Sequence, residues 1–99
     1  MKIDYNHNLT QDEAYTRINN LLGELKKKHS EEISNPQMSW NSQHTIMDYS
    51  VKIKGFSSSG QITLKEGQVS LEGKLPFAAK IFSGKIERMV REKLDDLFS

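Results

Sequence analysis

A chain of 99 residues is long enough for one hydrophobic core and too short for two. Its 35% apolar and 27% charged residues suit a folded domain and exclude a disordered one. The lack of cysteine removes disulfides and thiolate chemistry, and 14 basic against 13 acidic residues leave too little excess charge for a polyanion binder.

Ile3, Tyr5 and His7 alternate with Lys2, Asp4 and Asn6, which predicts a short first strand. Thr10 with Glu13 forms the pattern of a capping box, and Ala14, Ile18, Leu21, Leu22 and Leu25 follow at helical spacing. Glu13 to Arg17 and Glu24 to Lys28 are favourable i,i+4 pairs on that helix. It is expected to fray over Ser30–Asn35 and to stop at Pro36.

Beyond Pro36 the period changes to 2. Met38 and Trp40 mark a short strand, Asn41–His44 a turn, and Met47, Tyr49, Val51 and Ile53 the clearest alternation of the chain. A loop at Gly55–Ser59 leads to a strand carrying Gly60, Ile62 and Leu64. Glu66-Gly67 is a tight turn, and Val69, Leu71, Gly73 and Leu75 make the last strand. Strands joined so briefly are antiparallel neighbours. Pro76 then opens a second helix, with an apolar stripe from Phe77 to Phe98 and Glu87 to Arg91 on its exposed side.

The expected fold is α+β over residues 1–99, a single domain in the order β-α-β-β-β-β-α, with two helices packed on one face of an antiparallel sheet in a helix-grip-like arrangement. The other sheet face is polar, with Asp48, Lys52, Gln61, Lys65, Glu72 and Lys74 among its residues and no aromatic. Single-stranded nucleic acid needs stacking platforms, so no nucleic-acid partner is expected. Met1–Asn8 lacks the apolar stretch of a secretory leader, and no run approaches the roughly 20 apolar residues of a transmembrane helix. The expected location is the cytoplasm.

Candidate chemistry is sparse. His7, His29 and His44 have no second His or Cys three to five residues away, so no metal site is expected. Ser57-Ser58-Ser59-Gly60 has neither the strand-turn-helix context of a nucleophile elbow nor an evident base, and reads as a polar loop. The glycines form no phosphate-cradling loop, and Lys26-Lys27-Lys28 serves the dipole at a helix end. No catalytic residue and no cofactor is expected.

One segment has more apolar surface than its place requires. Between Pro76 and Gly84 only Lys80 and Ser83 are polar, whereas a helix on a sheet needs a single apolar stripe. Either the core absorbs this surface, or Phe77, Ala78, Ile81 and Phe82 form a contact for a partner. An alternative places function inside the molecule: a small hydrophobic-ligand binder, for a lipid or acyl group, with a cavity between sheet and C-terminal helix lined by Trp40, Tyr49, Val51 and Met89. Homodimerisation through an open sheet edge is a further option.

From end to end the chain resembles the polyhydroxyalkanoic acid system proteins, a granule-region family of small bacterial proteins. The resemblance rests on His7-Asn8-Leu9 ahead of Glu13-Ala14, on Trp40, and on Gly55-Phe56. It continues through Gly60-Gln61-Ile62-Thr63-Leu64, Val69-Ser70-Leu71-Glu72-Gly73-Lys74-Leu75, Ile86-Glu87-Arg88 and Leu94-Asp95-Asp96-Leu97-Phe98. It implies a bacterial cytoplasmic accessory protein of storage-polyester metabolism, with the granule surface or a granule protein as partner. No functional residue carries over, because these motifs are structural.

Overall fold

The computed structural model describes residues 1–99. Five strands form one sheet: β1 (Lys2–Asn6), β2 (Ile33–Trp40), β3 (Ile46–Ile53), β4 (Phe56–Lys65) and β5 (Gln68–Lys74). Their order is β1-β5-β4-β3-β2, and every neighbouring pair is antiparallel. The helices α1 (Gln11–Asn19), α2 (Leu21–Lys28) and α3 (Ser83–Phe98) cover one face, and a 3-10 helix (Phe77–Phe82) precedes α3. The α+β class and the strand-helix order are those expected.

Alternation decides which face is buried. Met47, Tyr49, Val51 and Ile53 of β3 are buried while the residues between them are exposed. Ile62 and Leu64, Val69 and Leu71, and Ile3 continue this face across the sheet. Ala14, Ile18, Leu21, Leu22 and Leu25 pack on it from α1 and α2, and Ile86, Met89, Val90 and Leu94 from α3. On the opposite face Asp48, Gln61, Glu72 and Lys2 lie in one cross-strand row, where Gln61 donates to Asp48 at 2.8 Å.

The capping box at Thr10 is present, with Glu13 N–H donating to the Thr10 hydroxyl at 3.2 Å and Thr10 N–H to the Glu13 carboxylate at 3.4 Å. The first helix is broken where a continuous one was expected. At Asn20 the side-chain amide donates to the Thr16 carbonyl at 3.1 Å, a local bond that competes with the helical ladder. Of the i,i+4 pairs, Glu87 and Arg91 meet at 3.3 Å. Glu24 instead reaches Lys93 of α3 at 3.8 Å, and Arg17 donates to the Leu97 carbonyl at 2.8 Å. Tertiary partners outcompete pairs that are worth only a few tenths of a kcal/mol on an isolated helix.

Two boundaries also differ. The helix ends at His29, and Pro36 lies inside β2 instead of ahead of it. Proline is tolerated there because β2 is an edge strand, where a missing N–H costs no ladder bond. The register shifts between Ser34 and Gln37, with Asn35 at φ +50°, so a bulge takes up the irregularity. The expected loop Gly55–Ser59 is mostly strand. Lys54 and Gly55, at φ +52° and +83°, form a two-residue hairpin turn, and Phe56 already pairs with Ile53. Ser58 is buried at no loss, because its hydroxyl donates to the Lys74 carbonyl at 2.9 Å.

Two glycines shape the middle of the sheet. Tyr49, Gly60 and Gly73 lie abreast on β3, β4 and β5. The Tyr49 side chain lies over the glycines and its hydroxyl donates to the Glu72 carbonyl at 3.4 Å. A Cβ on Gly73 would stand 2.5 Å from that hydroxyl, and one on Gly60 would collide with the Glu72 backbone. Burial pushes the Tyr49 phenol up to about 12.

The end of α3 is fastened to β1 and the loop after it. Tyr5 donates to Asp95 at 2.8 Å, and the rings of Tyr5 and His7 lie 5.5 and 4.8 Å from that of Phe98. His7 Nδ1 accepts from Leu9 N–H at 3.0 Å, which puts the proton of the neutral ring on Nε2, a shielded atom without a partner. Burial lowers the His7 pKa below its ordinary 6.5.

Gly60→Ala is expected to destabilise by several kcal/mol or prevent folding, since backbone must move. Gly23→Ala, in open space on α2, should stabilise by up to about 1 kcal/mol. Denaturant titration of both variants checks the pair. For His7, protonation favours the unfolded chain between the folded pKa and 6.5. Its contribution is complete above that ordinary value and is lost as pH falls through the depressed one. The denaturation midpoint should therefore drop as pH falls below 6.5, and drop less in His7→Gln.

Candidate functional site

β5 ends at Lys74, and Pro76, at φ −56° and ψ 151°, turns the chain into the 3-10 helix. Ala79 N–H donates to the Pro76 carbonyl at 2.9 Å, which starts the tight winding. With three residues per turn, positions i and i+3 stand above one another. Phe77 is thus aligned with Lys80, Ala78 with Ile81, and Ala79 with Phe82.

Only the last column faces inward. Ala79 is buried and Phe82 packs half-buried against the core. Phe77 and Ile81 are 88% and 82% exposed, and Ala78 is exposed beside them. The sequence placed all four apolar candidates at the start of a long helix, with more apolar surface than one face needs. At 3.6 residues per turn Phe77, Ala78, Ile81 and Phe82 would spread over about 140°, and at 3.0 they stand in three columns about 120° apart. Phe77, Ala78 and Ile81 are thus on the surface in two neighbouring columns, and Phe82 lies in the third, against the core.

Two lysines stand beside aromatic rings of this segment, and neither was singled out from sequence. Lys80 Nζ lies 6.0 Å from the centre of the Phe77 ring, and Lys54 Nζ, from the β3–β4 turn, lies 5.1 Å from that of Phe82. Neither ammonium has a carboxylate within 4.0 Å. Lys85, on the first turn of α3, is instead bonded to Glu32 at 3.0 Å. That bond holds the Glu32 carboxyl below the usual carboxylate range. The lysine at position 80 was visible in sequence as the polar residue inside the apolar run. Lys54 was not, because nothing local joins the hairpin turn to Phe82.

The candidates for an internal ligand site separate. Tyr49, Val51 and Met89 line an apolar cavity between sheet and helices of about 30 Å³. Drug-sized ligands occupy roughly 300–1,000 Å³, so this space has no room for an acyl chain. Trp40 lies outside it. Its indole N–H donates to Asn19 at 3.0 Å, and its edge meets Tyr15, whose ring stacks on His44 at 4.0 Å. The larger concavity, about 680 Å³, is an open trough on the polar sheet face. Asp48, Glu72, Lys2 and Lys74 give it mixed charge. No three His, Asp or Glu side chains converge as metal ligands would, and no helix is long and apolar enough to cross a membrane.

Phe77→Asp and Ile81→Asp, made where the side chains face water, should change stability by no more than about 0.5 kcal/mol. Ile86→Ala, in the core a few residues on, should cost about 2–5 kcal/mol. Thermal denaturation of the three variants separates an exposed patch from a buried one.

No curated protein and no solved structure matches this chain. A family described as "putative polyhydroxyalkanoic acid system protein" matches over residues 1–98. With nearly its whole length matched, the chain belongs to the polyhydroxyalkanoic acid system protein family.

Proposed function

We propose that the protein is a non-enzymatic, cytoplasmic accessory of the polyhydroxyalkanoate system that attaches to storage granules through Phe77, Ala78 and Ile81. The observation that carries this reading is the exposure of Phe77 and Ile81, 88% and 82%, on a turn next to a core that has ample apolar residues without them. Isolated exposed apolar side chains are ordinary on protein surfaces. Two large ones on one short segment, with Ala78 also exposed, make an apolar tip.

The magnitudes suit reversible attachment. Moving a Phe or Ile side chain out of water contributes about 1.5–3 kcal/mol each, so the pair gives about a hundredfold or more in partition. The family supports the granule as the place of action, since its description ties the chain to the polyhydroxyalkanoic acid system. The 30 Å³ interior cavity gives no comparable support to a ligand carrier.

Co-sedimentation with isolated polyhydroxyalkanoate granules, against uncoated latex of similar size, tests the reading. Granule-selective retention is the expected outcome, with loss of most binding in the folded Phe77→Asp, Ile81→Asp double variant. Protein left in the supernatant, or equal retention by the double variant, overturns it.

A further inference from the structure

We infer that what the patch recognises is an anionic lipid layer, with Phe77, Ala78 and Ile81 entering the acyl region and Lys54 and Lys80 meeting the headgroup phosphates. This rests on the reading of Phe77–Ile81 as a docking surface and names its occupant. The first support is the placement of charge. From Lys74 to Lys85 the chain carries three lysines and no acidic residue. The carboxylates packed beside the segment, Glu32 and Glu87, are each already bonded to a cation, Lys85 and Arg91. Lys80 has no carboxylate within 4.0 Å, and Lys54 acts on Glu32 only at longer range, so cations outnumber carboxylates around the apolar tip.

The second support is where those ammonium groups stand. Lys80 stands 6.0 Å from the centre of the exposed Phe77 ring, and Lys54 stands 5.1 Å from that of Phe82, whose ring stays against the core. An apolar ring with a lysine along its flank matches a membrane interface, where the ring enters the acyl boundary and the ammonium stays with the phosphates. Protein-protein interfaces have the opposite bias, since lysine is depleted from their cores. The patch is also small, two turns of 3-10 helix, whereas a stable protein interface buries about 800 Å² on each side. Insertion into a fluid layer needs no such matching surface.

The test is sedimentation of the full chain with vesicles of phosphatidylcholine alone and of phosphatidylcholine with phosphatidylglycerol. Intact granules and bare polyester particles are run in parallel. Binding is expected to the anionic vesicles and the intact granules, not to neutral vesicles or bare polyester, and to weaken as salt is raised. Lys54→Gln and Lys80→Gln should each reduce affinity about fivefold, and Phe77→Ser with Ile81→Ser on the order of a hundredfold. Lys65→Gln, at the opposite end of β4, should change nothing. Circular dichroism of each variant confirms that it is folded.

Equal binding to neutral vesicles or to bare polyester, or indifference to Lys54 and Lys80, overturns the lipid assignment. Binding to intact granules without binding to anionic vesicles also overturns it, and points to a granule protein while the docking reading stands. Failure to bind either sinks both.

Discussion

Five strands spaced about 4.8 Å apart make a sheet about 20 Å across, with one face that must be kept from water. A helix with its side chains covers a strip roughly 10 Å wide, so two helical layers side by side are needed and two suffice. The broken helix α1–α2 supplies one strip and α3 the other, with Lys93 and Glu24 meeting across the seam. The rest of the structure follows from this requirement. Ile3, Met47, Ile62 and Ile86 are buried almost completely because the cover is closed. The 3-10 helix comes before α3 begins its strip, and only Ala79 and Phe82 join the interior from it.

That division makes the apolar tip intelligible without any defect in the core. The winding of six residues separates inward from outward side chains, and Lys54 and Lys80 stand beside its aromatic rings with no carboxylate within 4.0 Å. The polar sheet face, by contrast, pairs its charges across strands, as between Lys2 and Glu72 at 4.0 Å. Cations near an apolar surface act differently from cations in a mixed-charge row: the first field is only partly compensated, and the second largely cancels within a Debye length.

Much of this fold is legible in the sequence because the sheet alternates cleanly. Met47 to Ile53 and Val69 to Leu75 state both their period and their buried face. Pro36 was misread because edge position is a property of the whole sheet, and only there does proline fit inside a strand. Ser58 was misread because its acceptor, the Lys74 carbonyl, belongs to a different strand. For the candidate site the residues were visible and their directions were not. Over a run as short as Phe77–Phe82, periods of 3.0 and 3.6 place nearly the same residues together at first and diverge only by the second turn. Which of them face water depends on that divergence.

The irregular edge of the sheet has a consequence for a chain crowded among its own copies. An open edge strand offers unpaired backbone groups to any neighbour, and crowding favours strand addition and aggregation. At β2 that edge is interrupted by Pro36, which has no N–H to give, and bent by the bulge around Asn35. At the other edge, β1 is only five residues long, and its Asp4 carbonyl is approached by Arg91 at 3.5 Å. The edges thus oppose sheet-to-sheet polymerisation, and copies packed closely together can remain separate folded molecules.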